Sequence, residues 1–227
     1  MPWLILTLLV LAVVFGPGLW VKRVMKRYST PEDRYQGTGA ELARHLLDEH
    51  GLQSVQVEET DQGDHYDPQD KVVRLTPEKL NGRSLTAVTV AAHEVGHALQ
   101  DATGYAPLKA RTRMVKAAMG AQKLGAAILI GAPFIGILTR APSITGLMVL
   151  GGFLSLGSAT LVHLVTLPTE IDASFRRALP MLEQGDYLYE VDRPHARRLL
   201  KAAAMTYVAA SLMSLLNIAR WWAILRR

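Results

Sequence analysis

The 227-residue chain contains no cysteine. This excludes a disulfide framework, a cysteine-based zinc site and a thiol nucleophile, and it fits a reducing compartment. Internal repeats and low-complexity segments are absent as well. Charge is missing over long stretches: Pro2 to Val21 carries none, and from Leu124 to Thr169 the only charged residue is Arg140. No basic residue precedes the first apolar run, whereas Lys22, Arg23, Lys26 and Arg27 follow it. Signal peptides place positive charge before their apolar core. The order found here predicts a retained anchor, with its N-terminus outside and the following chain in the cytoplasm.

What is present in quantity is apolar surface, with 49% hydrophobic residues and a mean hydropathy of +0.14. A bilayer-spanning helix needs about 20 apolar residues. Four stretches qualify: Pro2 to Val21; Leu124 to Thr139, which a snorkelling Lys123 would extend; Ala141 to Leu167; and Ala202 to Ala219, followed by the interface-suited Arg220, Trp221 and Trp222. A buried helical hairpin in a soluble core is the competing explanation for the middle two. Their combined length with a single charge argues against it. The net charge of +5 would suit a nucleic-acid partner, but the basic residues cluster beside the apolar stretches, so no such partner is expected. Lys109, Arg111, Arg113 and Lys116 precede the central pair of spans, and Arg176, Arg177, Arg193, Arg197, Arg198 and Lys201 follow it. The intervening turn, Thr139 to Ser143, has Arg140 alone. Residues 22–118 and 168–201 are therefore expected on the same, cytoplasmic side. Arg226 and Arg227 would lie outside if the last stretch spans fully, which leaves a partly interfacial course open. The expected architecture is a mainly α integral membrane protein with about four transmembrane helices and a small α+β zincin-like unit. Its expected parts are an anchor (1–22), a cytosolic α+β unit (23–118), a transmembrane hairpin (119–167), a cytosolic helical segment (168–201) and a final transmembrane or interfacial helix (202–227).

Within the α+β unit, Thr38 is positioned to cap a helix over "GAELARHLLDEHG", with Leu42, Leu46 and Leu47 on one face and Gly51 as its stop. Ser54 to Glu59 alternates like a strand, and Lys71 to Thr76 reads as a second. Between them, Asp61 to Asp70 is dense in turn formers. Ser84 is a suitable N-cap for the next helix. A strand beside that helix is a candidate to hold an extended peptide by edge pairing.

That helix carries "AAHEVGHALQ", with His93 and His97 four residues apart and Glu94 between them. On a helix, i and i+4 share a face, so both imidazoles can reach one metal ion. The glutamate then sits where it can take a proton from a metal-bound water, whose pKa zinc lowers towards about 7. Ala91, Ala92, Val95, Ala98 and Leu99 are small or apolar, as a packed helix beneath a metal requires. Gly96 is a poor helix former, and its missing side chain permits close approach of another element. A catalytic zinc usually takes three protein ligands, so a third must come from elsewhere. Asp101, about 12 Å along the axis from His93, is too far. His163 lies within an apolar stretch and reads as a packed polar residue. Glu58, Glu59, His65, Glu170 and Asp172 remain. Glu170 has the best topological case, because Pro168 marks a break from the third span and a helix start that the hairpin returns beside the histidines.

"DHYDPQDKVVRLTPEKLNGRSLTAVTVAAHEVGHALQ", Asp64 to Gln100, resembles the YugP-type membrane zinc metallopeptidases, and "GYAPLKAR", "LVTLPTEIDAS" and "AAAMTYVAASL" resemble that family's later blocks. The resemblance runs from about Tyr28 to Leu215 and implies a place among the glutamate-ligand zinc peptidases (gluzincins), with HtpX-like and CAAX-prenyl-protease enzymes as membrane relatives. It implies one zinc ion per chain held by His93, His97 and Glu170, with Glu94 as general base. Relatives often carry an aspartate four residues after the ligand glutamate; here that residue is Ser174. Asp172 and Ser174 are the candidates for orienting a ligand histidine, and His65 and Tyr66 for stabilising the oxyanion.

The expected function is thus a membrane-bound zinc endopeptidase of the bacterial inner membrane. Its active site would face the cytoplasm and act on membrane-associated or unfolded proteins. The alternative is a non-proteolytic membrane scaffold or adaptor with a structural zinc, motivated by the absence of a recognisable substrate pocket and by Ser174. A transporter fits less well, because the spans lack paired charges.

Overall fold

The computed structural model describes the backbone of residues 2–225, and within it all side chains except residues 2–4, 6, 7, 142, 153, 156, 157, 159–161, 163, 164 and 214–225. The chain is mainly helical with one small sheet. Helix α1 spans Pro2–Arg27 and α2 Gly39–Glu49, followed by strands β1 (Gln56–Glu59), β2 (His65–Asp67) and β3 (Val72–Leu75). Helices α3 (Pro77–Leu80), α4 (Leu85–Ala102), α5 (Ala106–Thr139) and α6 (Pro142–Ile171) come next. A π-helical segment, Asp172–Ala178, then leads into α7 (Leu179–Gln184), and α8 covers Arg193–Leu225.

The chain divides into two compact units, one comprising residues 1–16, 110–166 and 207–227, the other 17–109 and 167–206. In the first, α5 and α6 form a hairpin around Arg140, which takes a left-handed φ of 53°. The two helices meet through small residues. An ideal Cβ on Gly125 would fall 2.5 Å from the Ser155 Cβ, and one on Gly152 would fall 2.4 Å from Leu129. Close backbone approach of this kind suits helices that cannot rely on hydrophobic exclusion from water. Leu124, Ile130, Phe134, Ile137 and Leu138 project outward. Among the described residues, two stretches are long and apolar enough to cross a membrane, Leu8–Arg27 and Ala106–Thr139, with Ser143–Gly152 as a shorter apolar stretch. The third and fourth expected spans, like His163, Trp221, Trp222, Arg226 and Arg227, include side chains or residues outside those described. Four spans therefore remains an expectation from the sequence.

The second unit holds the α+β part. Thr38 caps α2 in a full capping box: its hydroxyl accepts from the Glu41 N–H, and the Glu41 carboxylate accepts from the Thr38 N–H. Leu46 and Leu47 are fully buried, and Gly51 ends the helix at φ 73°. β1 pairs parallel to β3, and β2 pairs antiparallel to it, in the order β1-β3-β2. β2 falls inside Asp61–Asp70, where only turns were expected. Tyr66 supplies the β-forming side chain, buried between turn residues too short a distance apart for an alternating pattern to show. The core joins α2, β3, α4, α7 and the first turns of α8 through Leu46, Leu75, Val95, Leu182, Leu199 and Leu200. Each such side chain contributes about 1.5–3 kcal/mol by leaving water.

The expected break at Pro168 is corrected. α6 runs through Pro168 to Ile171 and then widens into π pairing rather than ending. Proline removes one N–H donor from a helix. Here the following turn packs against α4 with Thr169, Glu170, Asp172, Ala173 and Ser174 all buried. That tertiary packing outweighs the local penalty.

Candidate metal centre

Helix α4 starts at Ser84, whose hydroxyl accepts from the Ala87 N–H. From Leu85 to Ala98 every residue is buried, so this is a central helix rather than an amphipathic surface one. Its one side-chain gap is Gly96, where an ideal Cβ would fall 2.7 Å from the Ala173 carbonyl oxygen. The missing Cβ lets the π-helical segment lie directly against α4, which brings Glu170 to the histidines.

His93, His97 and Glu170 are 4%, 5% and 1% exposed. Each histidine Nε2 lies 3.3 Å from the same oxygen, Glu170 Oε2, and the three donor atoms fall within 4.8 Å of one another. The imidazoles meet edge to face, with centroids 4.8 Å apart. Ligands about 2.0–2.1 Å from a tetrahedral zinc lie about 3.3–3.4 Å apart, and two nitrogens with one carboxylate oxygen is a recurrent zinc donor set. The spacing and chemistry of the cluster fit that ion. Burial disfavours the ionised Glu170 carboxyl, and it takes positive charge on the two histidines beside it to bring its pKa below the usual carboxylate range.

The histidine tautomers follow from the surrounding bonds. Ser174 Oγ donates its single proton to the Leu200 carbonyl at 3.2 Å, so at 3.1 Å from His93 Nδ1 it must accept. His93 therefore carries its proton on Nδ1. Gln100 Nε2 donates at 2.8 Å to both the Thr169 carbonyl and the Asp172 carboxylate. Two acceptors on that side fix the amide orientation, so Gln100 Oε1 accepts from His97 Nδ1–H at 2.9 Å. Both histidines thus direct an Nε2 lone pair into the cluster. Arg177 Nε donates to Asp172 at 2.9 Å, and its guanidinium lies over the Tyr105 ring. Burial opposes ionisation of Asp172, but the Arg177 and Gln100 bonds prevail and its pKa is lowered.

Of the two residues considered for orienting a histidine, Ser174 touches His93 directly, and Asp172 acts on His97 through Gln100. The sequence reading missed Gln100 and Arg177. Gln100 had a usable signal, since it sits three residues after His97 on the same helix face. Replacing Gln100 or Ser174 with alanine is expected to weaken zinc binding by about 10–100-fold. A competition titration with a coloured chelator would measure this, and wild-type affinity in both variants would refute the orienting role.

Glu94 is 6% exposed on the turn between the two histidines. Most of the other candidates hydrogen-bond elsewhere. Tyr66 donates its hydroxyl proton to Asp101, which also pairs with Lys71. That single proton is engaged, and burial with the Asp101 contact pushes the phenol pKa up. His65 Nδ1 meets the Gly63 carbonyl at 2.8 Å. Glu58 faces Arg74 at 3.4 Å. Glu59 ends β1 on its exposed side.

A family model described as "Putative neutral zinc metallopeptidase" matches residues 3–226. The chain is also similar to "Putative membrane protease YugP" of Bacillus subtilis (strain 168), with 36% identity over 224 residues, covering 97% of this chain and 95% of that protein. No solved structure matches.

Proposed function

The chain belongs to the family described as putative neutral zinc metallopeptidases, and from that premise we propose that it is a membrane-bound zinc endopeptidase of the glutamate-ligand type. The observation that carries this reading is the buried convergence of His93 Nε2, His97 Nε2 and Glu170 Oε2 beside Glu94. These three residues would hold one zinc ion. When bound, zinc would polarise the scissile carbonyl and make water acidic enough to ionise near neutral pH. Ser174 and Gln100 keep both imidazoles in the ligating tautomer. Glu94 takes a proton from the attacking water as its oxygen bonds to the carbonyl carbon, then passes that proton to the amine nitrogen as the C–N bond breaks.

The sheet supports a substrate in extended form. β2 is an edge strand packed beside α4, and a peptide laid along it would present its backbone rather than a particular side chain. Such recognition favours unfolded or membrane-associated chains over folded ones. The flanking charges favour about four spans, with the expected domain boundaries and the catalytic unit on the cytoplasmic side of a bacterial inner membrane.

The test uses the purified full chain in detergent. Removal of zinc by a chelator is expected to abolish cleavage of a permanently unfolded protein, and one equivalent of zinc per chain to restore it. Undiminished cleavage by metal-free protein would refute the reading.

A further inference from the structure

We propose that Lys22, Arg23, Lys26 and Arg27, at the C-terminal end of α1, form a docking surface for anionic phospholipid headgroups, and that this surface is joined to the helix carrying the two histidines. All four side chains are exposed, within six consecutive positions. Among the described residues none of them pairs with a carboxylate; Arg27 rests over the Tyr28 ring, 5.8 Å from its centroid. Cations in the last turn of a helix interact favourably with its dipole, which accounts for Lys26 and Arg27. It does not account for Lys22 and Arg23, more than a turn earlier. Directly before the cations, Leu8, Leu9, Val13, Phe15 and Leu19 are exposed apolar side chains. This order, apolar surface running into a dense cationic turn, matches hydrocarbon running into a negatively charged headgroup layer.

The same turn is built into the catalytic unit. Val21 and Val24, interleaved with the cations, are buried in its core. The Met25 carbonyl accepts from Thr86 Oγ1 at 2.9 Å, and the Tyr28 carbonyl accepts from the Thr86 N–H at 3.1 Å. Thr86 is the second residue of α4, about 10 Å along the helix from His93. Headgroups that fix the cationic turn therefore also fix the start of the ligand helix. A swinging tether would give no such link.

The inference rests on reading α1 as a membrane anchor, and the test separates the two. The full chain is reconstituted into vesicles of phosphatidylcholine, with or without about one part in three of phosphatidylglycerol, and amide hydrogen exchange is followed over residues 85–90. Each cation near an anionic surface favours binding by about fivefold. The wild type is expected to exchange at least about fivefold more slowly in the anionic vesicles. The quadruple variant K22Q/R23Q/K26Q/R27Q is expected to show no lipid dependence. The pairs K22Q/R23Q and K26Q/R27Q, which disturb the helix less, are each expected to lose part of it. Inorganic phosphate added to phosphatidylcholine vesicles should leave exchange unchanged. Equal wild-type exchange in the two lipids, a full lipid effect in the variants, or reproduction of the effect by phosphate would each overturn the proposal. Failure of the chain to float with vesicles of either composition would overturn the anchor reading, and this proposal with it.

Discussion

Glu170→Ala is expected to weaken zinc binding on the order of a thousandfold while leaving the metal-free protein folded. Binding energies of structural zinc sites, about 10–16 kcal/mol over four ligands, imply several kcal/mol for each. The two effects separate because Glu170 is costly without a metal: a fully buried carboxylate gives up its hydration, and neutral alanine does not. What remains in the apo variant is a small cavity and two imidazoles still held by Ser174 and Gln100. Thermal unfolding with and without metal reads this directly. With zinc at a thousand times the wild-type Kd, the wild type should gain about 4 kcal/mol, and a variant weakened a thousandfold only about 0.4 kcal/mol. If Glu170→Ala keeps full zinc and the full stabilisation, the third ligand lies elsewhere, and His65, Glu58 and Glu59 return as candidates.

That residue also marks the limit of what local sequence patterns reveal. The i, i+4 histidines, the Ser84 cap and the Thr38–Glu41 capping box are short-range features, and each is readable where it stands. Glu170 lies 73 residues beyond His97, and its return was suggested by the count of apolar stretches between them and by the family resemblance, not by any pattern near either residue. The surroundings of the cluster were less legible. Pro168 signalled a helix start, because the propensity of one residue is visible in sequence and the packing that overrides it is not. The π-helical segment depends on Gly96 admitting the Ala173 carbonyl, a contact between elements that no window around either residue contains. Gln100 looked like one more polar residue at a helix end. Its role appears only when His97, Thr169 and Asp172 are seen around it. Local rules thus wrote the ligand helix, and tertiary contacts wrote the shell that orients it.

Glu94→Gln is expected to keep its zinc and its stability and to lose cleavage by about 100–10,000-fold in kcat/KM, the range for removing a positioned general base. Glutamine has nearly the same shape, so it fills the same buried space on α4 and leaves His93, His97 and Glu170 untouched. It cannot accept the proton from water or deliver it to the departing amine. A zinc-holding scaffold would respond differently. It has no use for proton transfer at this position, and a buried carboxylate costs more to keep than a buried amide. The scaffold reading therefore shares the retained zinc and an unchanged or more stable Glu94→Gln protein, and differs in predicting a wild type that hydrolyses nothing. Three measurements on the same preparations separate the readings: zinc content, unfolding temperature, and the rate of cleavage of an unfolded substrate. Equal zinc and equal stability with a collapsed rate assign Glu94 to the chemistry, whereas an undiminished rate in the variant removes it from the mechanism.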